Sequence, residues 1–434
     1  MHRYIVTNCL MISAFFSRRW FITGLLFCAA VLNYIDKNTL ALLAPSIQKD
    51  LSLSDQDYAN IQNAFQIAYT IALLASGVIV DKLGPRISLA LFVGWWSLAN
   101  VLTGWARSAV SLAGCRFMLG LGEAGNWTAS PKTVSEWFPP KEQGLAIGIY
   151  TAGTPIGMTL APLFIIGLAQ IWDWRFVFIG TGLLGLVWLV PWFILYREGE
   201  SRRSQAKANS NRSQDCLLPT SDDNLSWGWG EALRQPVVWA LLLGRMFSDP
   251  IWYFYQNWYP KYLVSERGLT QIDVRIIWVI FLAASLGSLA GGWLAGRLIR
   301  RGRSPAVVRV WILAGCSLFM PLSPLVSLSP SVSGSLTFAS LVVFAHLAWL
   351  ANISALVVDV VPEKSLGKVF GLVASGSSVG AILMNDLVAK LLIHSSYATW
   401  FWIAAFLHLA VVPLIFWGVL KKIGGPRIGL ASDV

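Results

Sequence analysis

FPPKEQGLAIGIYTAGTPIG (Phe138–Gly157) and VPEKSLGKVFGLVASGSSVG (Val361–Gly380) align without a gap, and six of their twenty positions are identical: one Pro, one Lys and four Gly. Shared glycine richness supplies part of that match. The register is the same, though, and so is the place of each stretch in its half of the chain, which reads as a parallel internal repeat. A weaker echo sets Gly77-Val-Ile-Val-Asp81-Lys82-Leu83-Gly84-Pro-Arg86 against Gly292-Trp-Leu-Ala-Gly296-Arg297-Leu298, with the acidic position lost in the second copy.

Working outward, apolar segments of span length lie at 20–46, 59–80, 86–106, 109–131, 143–170 and 175–196, numbered here as spans 1 to 6. From Arg197 to Gln235 the chain turns polar and charged. Spans 7 to 12 follow at 237–263, 274–299, 305–328, 335–361, 366–394 and 397–420. The expected architecture is an all-α membrane protein of twelve transmembrane helices in two six-helix bundles, 1–196 and 237–434, joined by a cytoplasmic loop at 197–236. Residues 1–19 hold a short apolar run ending in Arg18 and Arg19. It is too short to span and has no small-residue cleavage site, so it reads as a cytoplasmic or interfacial lead-in.

Composition agrees with this plan. Of 434 residues 56% are hydrophobic and 13% charged, and the mean hydropathy is +0.60, far above a soluble globular chain. The net charge of +11 would suggest nucleic acid in a soluble protein. Here it reports topology: with the N-terminus inside, about 23 of the 33 Lys and Arg fall on cytoplasmic ends and loops and about 7 outside. That bias sets both termini and the central loop in the cytoplasm and removes any need for a nucleic-acid partner. Five Cys, odd in number and scattered, give neither a disulfide framework nor a metal site.

Three cations fall deep inside spans, away from the span ends: Lys37, Arg116 and Arg245. Arg116 shares span 4 with Glu123, in CRFMLGLGEAGNW (Cys115–Trp127). A charge at mid-bilayer costs about 2.5–3.5 kcal/mol on insertion scales, so such residues face a cavity, a partner or a substrate path. Seven positions make nearly two helical turns, which puts Arg116 and Glu123 on one face about 10 Å apart. A structural ion pair is the other use of two such charges.

The loop after span 2, GVIVDKLGPR, resembles the hallmark Gly-x-x-x-Asp-Arg/Lys-x-Gly-x-Arg of the major facilitator superfamily. Within that superfamily NYIDKNTL (Asn33–Leu40), CRFMLGLGEAGNW, SEWFPPKEQGLAIGIYTAGTPIG (Ser135–Gly157) and SDPIWYFYQNWYPKYL (Ser248–Leu263) resemble the anion:cation symporters, particularly hexuronate and sugar-acid transporters. The resemblance implies that the family's span 1 Asp-Arg pair falls on Asp36 and Lys37, and its span 4 pair on Arg116 and Glu123. It implies substrate contacts at Tyr34 and Tyr69, and places Thr154 and Ser375 where relatives carry other polar residues. Lys37 departs from the family's Arg, exchanging a bidentate fork for a point charge. Gly77, Asp81, Lys82, Gly84 and Arg86 form the motif that gates or braces the cytoplasmic face.

The residues reach a similar place by their own chemistry. An organic anion crossing a bilayer needs a positive anchor, and Arg116, with Lys37 as a second candidate, fits a carboxylate. Moving it inward against a negative-inside potential needs a coupling cation, and a buried carboxylate can carry a proton; Glu123 and Asp36 are so placed. Sugar hydroxyls want short polar partners beside aromatic faces. Span 2 offers Asn63, Gln66, Tyr69 and Thr70, and span 7 offers Trp252, Tyr253, Tyr255, Gln256, Asn257 and Trp258, although aromatics at a span end also form interfacial belts. Arg245 and Asp249 sit one turn apart as a local pair, and His346 in span 10 reads as a satisfied core residue.

The expected function is therefore proton symport of an organic anion, most simply a hexuronate or related sugar acid, by alternating access. The chain is expected to act as a monomer in a bacterial-type inner membrane, with no enzymatic activity and no cofactor beyond the coupling ion. The rivals are a transporter or exchanger of another anion, such as a phosphorylated or aromatic acid, a nutrient sensor that binds without moving its ligand, and a membrane-embedded enzyme. No His, Cys or acidic cluster has catalytic spacing, which weighs against the last.

Overall fold

A computed structural model describes residues 2–138, 140–196, 227–362 and 365–423. Most of the central polar loop, 197–226, lies outside the described residues, as do Pro139, Glu363 and Lys364 of the repeat. Among the described residues there is no strand, and each of the twelve apolar segments is helical. Among the described residues eight helices are long and apolar enough to cross a membrane. In the run that holds spans 2 and 3, the pieces Asp55–Leu73 and Ala75–Thr103, bent by 59°, pass the same test only together. The first helix runs unbroken over His2–Leu51, so the N-terminal lead-in continues span 1 as helix.

Local chemistry sets the helix limits. Ser54 caps span 2 in a reciprocal box with Asp57, and Ser108 caps span 4 with Ser111. Pro236 and Pro305 open their helices at the first turn, where the missing N–H costs nothing. At the loop after span 2, Gly84 takes φ 75° and ψ 160° just before Pro85. That backbone favours glycine and breaks the helix between spans 2 and 3. Four spans that read as continuous in the sequence are interrupted, among them span 9, which runs as Pro305–Ser317, a short 3-10 turn Met320–Leu322 and Ser323–Leu328. Span 4 breaks after Glu123 and restarts at Asn126, span 5 breaks at Ala152, and span 7 consists of Pro236–Ser248, Pro250–Asn257 and Tyr259–Ser265. Pro250 and Pro260 account for the breaks in span 7, since neither can donate to the preceding turn.

The helices gather into two compact units, Met1–Leu218 with Gln256–Trp278, and Pro219–Tyr255 with Val279–Val434. The first unit thus takes in a segment from beyond the central loop. Tyr58 donates its hydroxyl to the Asn257 carbonyl at 2.5 Å and meets the Trp258 ring edge-on, Lys261 pairs with Asp55, and Gln271 donates to the Leu42 carbonyl.

The repeated glycines show why the repeat exists. In the first unit a Cβ on Gly153 would lie 2.5 Å from the Phe27 carbonyl oxygen, and one on Gly157 would lie 2.8 Å from that of Val31. In the second unit a Cβ on Gly376 would lie 2.5 Å from the Leu242 carbonyl oxygen, and one on Gly380 would lie 2.1 Å from that of Met246. Each pair lets span 5 or span 11 rest directly on the backbone of span 1 or span 7, a small-residue contact of the kind membrane helices use. The matching seats put the two halves in register, Phe27 with Leu242 and Val31 with Met246, and hence Tyr34 with Asp249 and Lys37 with Trp252.

The outer faces are apolar. Span 6 buries Val177, Phe178, Thr181, Gly182, Gly185, Trp188 and Trp192 while exposing Leu183, Val187, Val190 and Ile194. An exposed stripe of this kind on helix after helix is the surface of a protein solvated by lipid.

Candidate functional site

Four charged side chains meet inside the first unit. Arg116 is 1% exposed, and Asp36 and Glu123 are fully buried. Arg116 donates from Nη2 to the Lys37 carbonyl at 3.2 Å, and its Nε and Nη1 have no hydrogen-bond partner. Neither oxygen of Glu123 has one either. The two span 4 charges are therefore not a structural ion pair. They share a helix and leave their hydrogen-bonding capacity uncommitted, which is costly in a buried place unless function requires it.

Lys37 sits among rings. Its Nζ lies 5.7 Å from the centroid of Tyr34, 5.4 Å from that of Phe65 and 5.3 Å from that of Tyr69. The Arg116 guanidinium lies 4.9 Å from the same Phe65 ring, and Tyr69 stacks on Phe65. One phenyl ring thus lies near two cations, which eases the approach of like charges because the ring quadrupole attracts both. The charges of Lys37 and Arg116 act on each other and on Glu123. Phe65 was not legible as a site residue: a Phe in an apolar span carries no signal in sequence.

Asp36 and Lys37 diverge, as adjacent helical residues must. Asp36 turns to spans 3 and 6, where Asn100 donates from Nδ2 to its Oδ1 at 2.8 Å and to Thr181 Oγ1 at 2.7 Å. The second oxygen, Oδ2, is without a partner.

The remaining sequence candidates fall as follows. Gln66 is buried on span 2, and its carbonyl accepts from Thr70. Thr154 lies beside the Gly153 seat with its hydroxyl buried and unbonded. Gln256 belongs to the first unit, donating to Met158 Sδ at 3.7 Å with its Oε1 unbonded. In the second unit Trp252 packs edge-on against Phe281, Tyr253 is half-buried, and the Ser375 hydroxyl is spent on the Leu372 carbonyl of its own helix. The loop motif braces one end of the first unit: Asp81 pairs with Lys132 at 2.5 Å, and the Arg86 carbonyl accepts from Trp192. Lys82 is exposed, and a Cβ on Gly77 would meet open space.

The second unit has a buried polar chain that the sequence only hinted at. Arg245 and Asp249 pair at 2.5 Å. Ser248 donates to Asp249, Trp349 donates to Ser248, and the Trp349 ring meets that of His408. His408 Nε2 lies 3.0 Å from His346 Nδ1, so a second histidine 62 residues on meets one nitrogen of His346, while His346 Nε2 and His408 Nδ1 stay buried without a partner. No spacing rule links span 10 to span 12 in sequence.

Helices with lipid-facing stripes around a nest of uncommitted charges define an integral membrane protein of the polytopic carrier class. The Major Facilitator Superfamily is matched over residues 26–352, and the chain belongs to that family. The galacturonate transporter of Dickeya chrysanthemi is 30% identical over 280 residues, covering 64% of this chain and 81% of that protein. The hexuronate transporter of Escherichia coli (strain K12) is 29% identical over 283 residues; the match covers 64% of this chain and 65% of that relative's length, just under two thirds. The D-galactonate transporter of Escherichia coli O6:H1 is 28% identical over 307 residues, 67% of this chain and 70% of that protein. Among solved structures, a D-xylose-proton symporter aligns with a TM-score of 0.72 at 13% identity, covering 93% of this chain and 98% of that one. A bacterial homolog to the human lysosomal transporter Spinster, inward-facing and unoccupied, aligns with a TM-score of 0.69 at 20% identity, covering 94% and 96%. These two show a shared fold.

Proposed function

We propose that this chain is a secondary active transporter that imports a hexuronate or a related sugar acid by proton symport, with alternating access. The observation that carries the reading is the uncommitted set inside the first unit: Arg116 with two unbonded nitrogens, Lys37 among three rings, and Glu123 with two unbonded oxygens. An arriving carboxylate takes the Arg116 donors and the Lys37 charge. By neutralising those cations it removes the field that favours the ionised form of Glu123, so substrate and proton bind together. Tyr34, Tyr69, Gln66, Thr154 and Gln256, all of the first unit, supply hydroxyl and amide partners for the sugar. The names of the relatives, transporters of galacturonate, hexuronate and galactonate, support the substrate class.

The excess of Lys and Arg on one side of the twelve spans supports an inner-membrane orientation with both termini cytoplasmic. Proteoliposomes loaded with an imposed pH or sodium gradient test the reading. Galacturonate and glucuronate are expected to accumulate under an inward proton gradient, ahead of galactonate and glucarate, with no uptake of a neutral hexose. Uptake of the hexose without preference for acids would reject an anion carrier, and accumulation under sodium alone would reject proton coupling.

A further inference from the structure

Asp36 is bonded into the body of the first unit through residues that no motif singled out. Asn100, fully buried in span 3, turns its amide nitrogen to Asp36 Oδ1 at 2.8 Å and to Thr181 Oγ1 at 2.7 Å, with the Phe178 carbonyl a longer third acceptor at 3.4 Å. Thr181, fully buried in span 6, donates in turn to the Phe178 carbonyl of its own helix at 3.3 Å. An amide has two N–H donors, and this one has committed both, so the orientation of Asn100 is fixed by Thr181 and that of Asp36 by Asn100. Asp36 Oδ2 is buried without a partner, and it is the oxygen that can accept a proton without breaking the contact to Asn100. The charged groups acting on Asp36 are Arg116 and Glu123 of span 4, with Lys37 beside it in span 1. Spans 3 and 6 face it with an uncharged amide and hydroxyl.

We propose that Asn100 and Thr181 are positioning residues for Asp36: they hold its carboxylate on spans 3 and 6 and set the pH at which Oδ2 takes its proton. This rests on the reading of Asp36 as a proton carrier. A donor aimed at a carboxylate oxygen favours the ionised form, so its loss makes the group hold its proton to higher pH. The arrangement also separates the two acids. Glu123 shares its span with Arg116 and meets no donor, so it answers to whatever occupies the cations. Asp36 is tied to two further spans, so its proton answers to how spans 1, 3 and 6 sit together.

The test is an infrared pH titration of the full chain reconstituted in lipid, following the protonated-carboxyl band that disappears in Asp36→Asn. Asn100→Ala is expected to move the midpoint of that band about one to two pH units toward alkaline pH, the equivalent of one hydrogen bond to a charged group. Thr181→Val is expected to move it the same way by less, because it frees the amide without removing it. Asn100→Gln and Thr181→Ser should each restore part of the shift, which a general loosening of packing would not do. Should Asn100→Ala fail to reconstitute, Thr181→Val carries the test alone. If the band is present and neither variant moves it, Asn100 and Thr181 do not position Asp36, and the proton reading of Asp36 stands without them. If Asp36→Asn removes no band at any pH, Asp36 takes no proton, and both readings fall together.

Discussion

Arg116 of span 4 donates to the main-chain carbonyl of Lys37 in span 1 across 3.2 Å, so a buried guanidinium is tied to the backbone of a half-buried lysine by a contact that leaves the ammonium out. Removing the guanidinium removes both the anchor and the tie. Arg116→Lys keeps the charge but not the planar donors. It is expected to raise the KM for sugar-acid uptake about ten- to a hundredfold, the loss of one or two hydrogen bonds to a charged partner. Uptake kinetics in proteoliposomes measure it, and an unchanged KM would remove Arg116 from the substrate contacts.

The Phe65 ring meets both cations, its centroid 5.4 Å from Lys37 Nζ and 4.9 Å from the Arg116 guanidinium. Phe65→Leu keeps most of the apolar volume and abolishes the ring face. A cation–π contact is worth about 0.5–2 kcal/mol depending on exposure, so the substrate KM is expected to rise several-fold while the thermal midpoint of the protein changes little. Phe65→Tyr should behave as the native protein does.

The glycine seats predict a packing penalty that is equal in the two halves. A Cβ at Gly153 or Gly376 would lie 2.5 Å from the carbonyl oxygen of Phe27 or Leu242. Backbone cannot yield as a side chain can, so Gly153→Val and Gly376→Val are each expected to cost about 1–3 kcal/mol or more. Thermal unfolding in detergent checks it. Gly77→Ala, where the added carbon meets open space, is the control and should change nothing.

Much of this was legible because it follows from periodicity and from the cost of charge in lipid. The twelve segments, the repeat and the isolated cations Lys37, Arg116 and Arg245 all belong to that class, and the structure makes each segment helical. Partnership between distant spans was not legible. Asn100 with Asp36, Thr181 with Asn100 and His408 with His346 are each joined by tertiary packing over 62 to 81 residues of sequence, and no local spacing encodes that. Nor did the apolar pattern reveal the breaks in spans 4, 5, 7 and 9, because lipid-facing hydropathy continues across a helix interruption whose backbone groups are satisfied by neighbouring helices.

The His346–His408 contact joins spans 10 and 12 through one hydrogen bond of 3.0 Å, with both rings fully buried. Each ring already carries one unmet nitrogen; replacing one ring leaves the other with both unmet, at a further cost of about 1–3 kcal/mol, whereas replacing both with apolar residues removes the whole debt. His346→Leu and His408→Leu are therefore each expected to lower the thermal midpoint. The double variant should be more stable than the sum of the two losses allows, the mark of a direct pair in a double-mutant cycle. Strict additivity would mean that the rings do not depend on one another.

Glu123 separates coupling from binding. It shares span 4 with Arg116, is fully buried, and meets no hydrogen-bond donor at either oxygen. Glu123→Gln copies the shape and removes the proton site, as though the acid were permanently protonated. A carrier locked in that state can bind substrate on either side and exchange it, but it cannot release a proton to complete a net inward cycle. Accumulation of sugar acid under an inward proton gradient is expected to vanish, while exchange of labelled for unlabelled substrate stays measurable and loses the pH dependence that Glu123 gives it. Asp36→Asn run in parallel reports whether the second acid contributes a separate pH-dependent step. A Glu123→Gln protein that still concentrates substrate under a pH gradient would move the proton elsewhere, and Asp36, with its unbonded Oδ2, is the next carboxylate to examine.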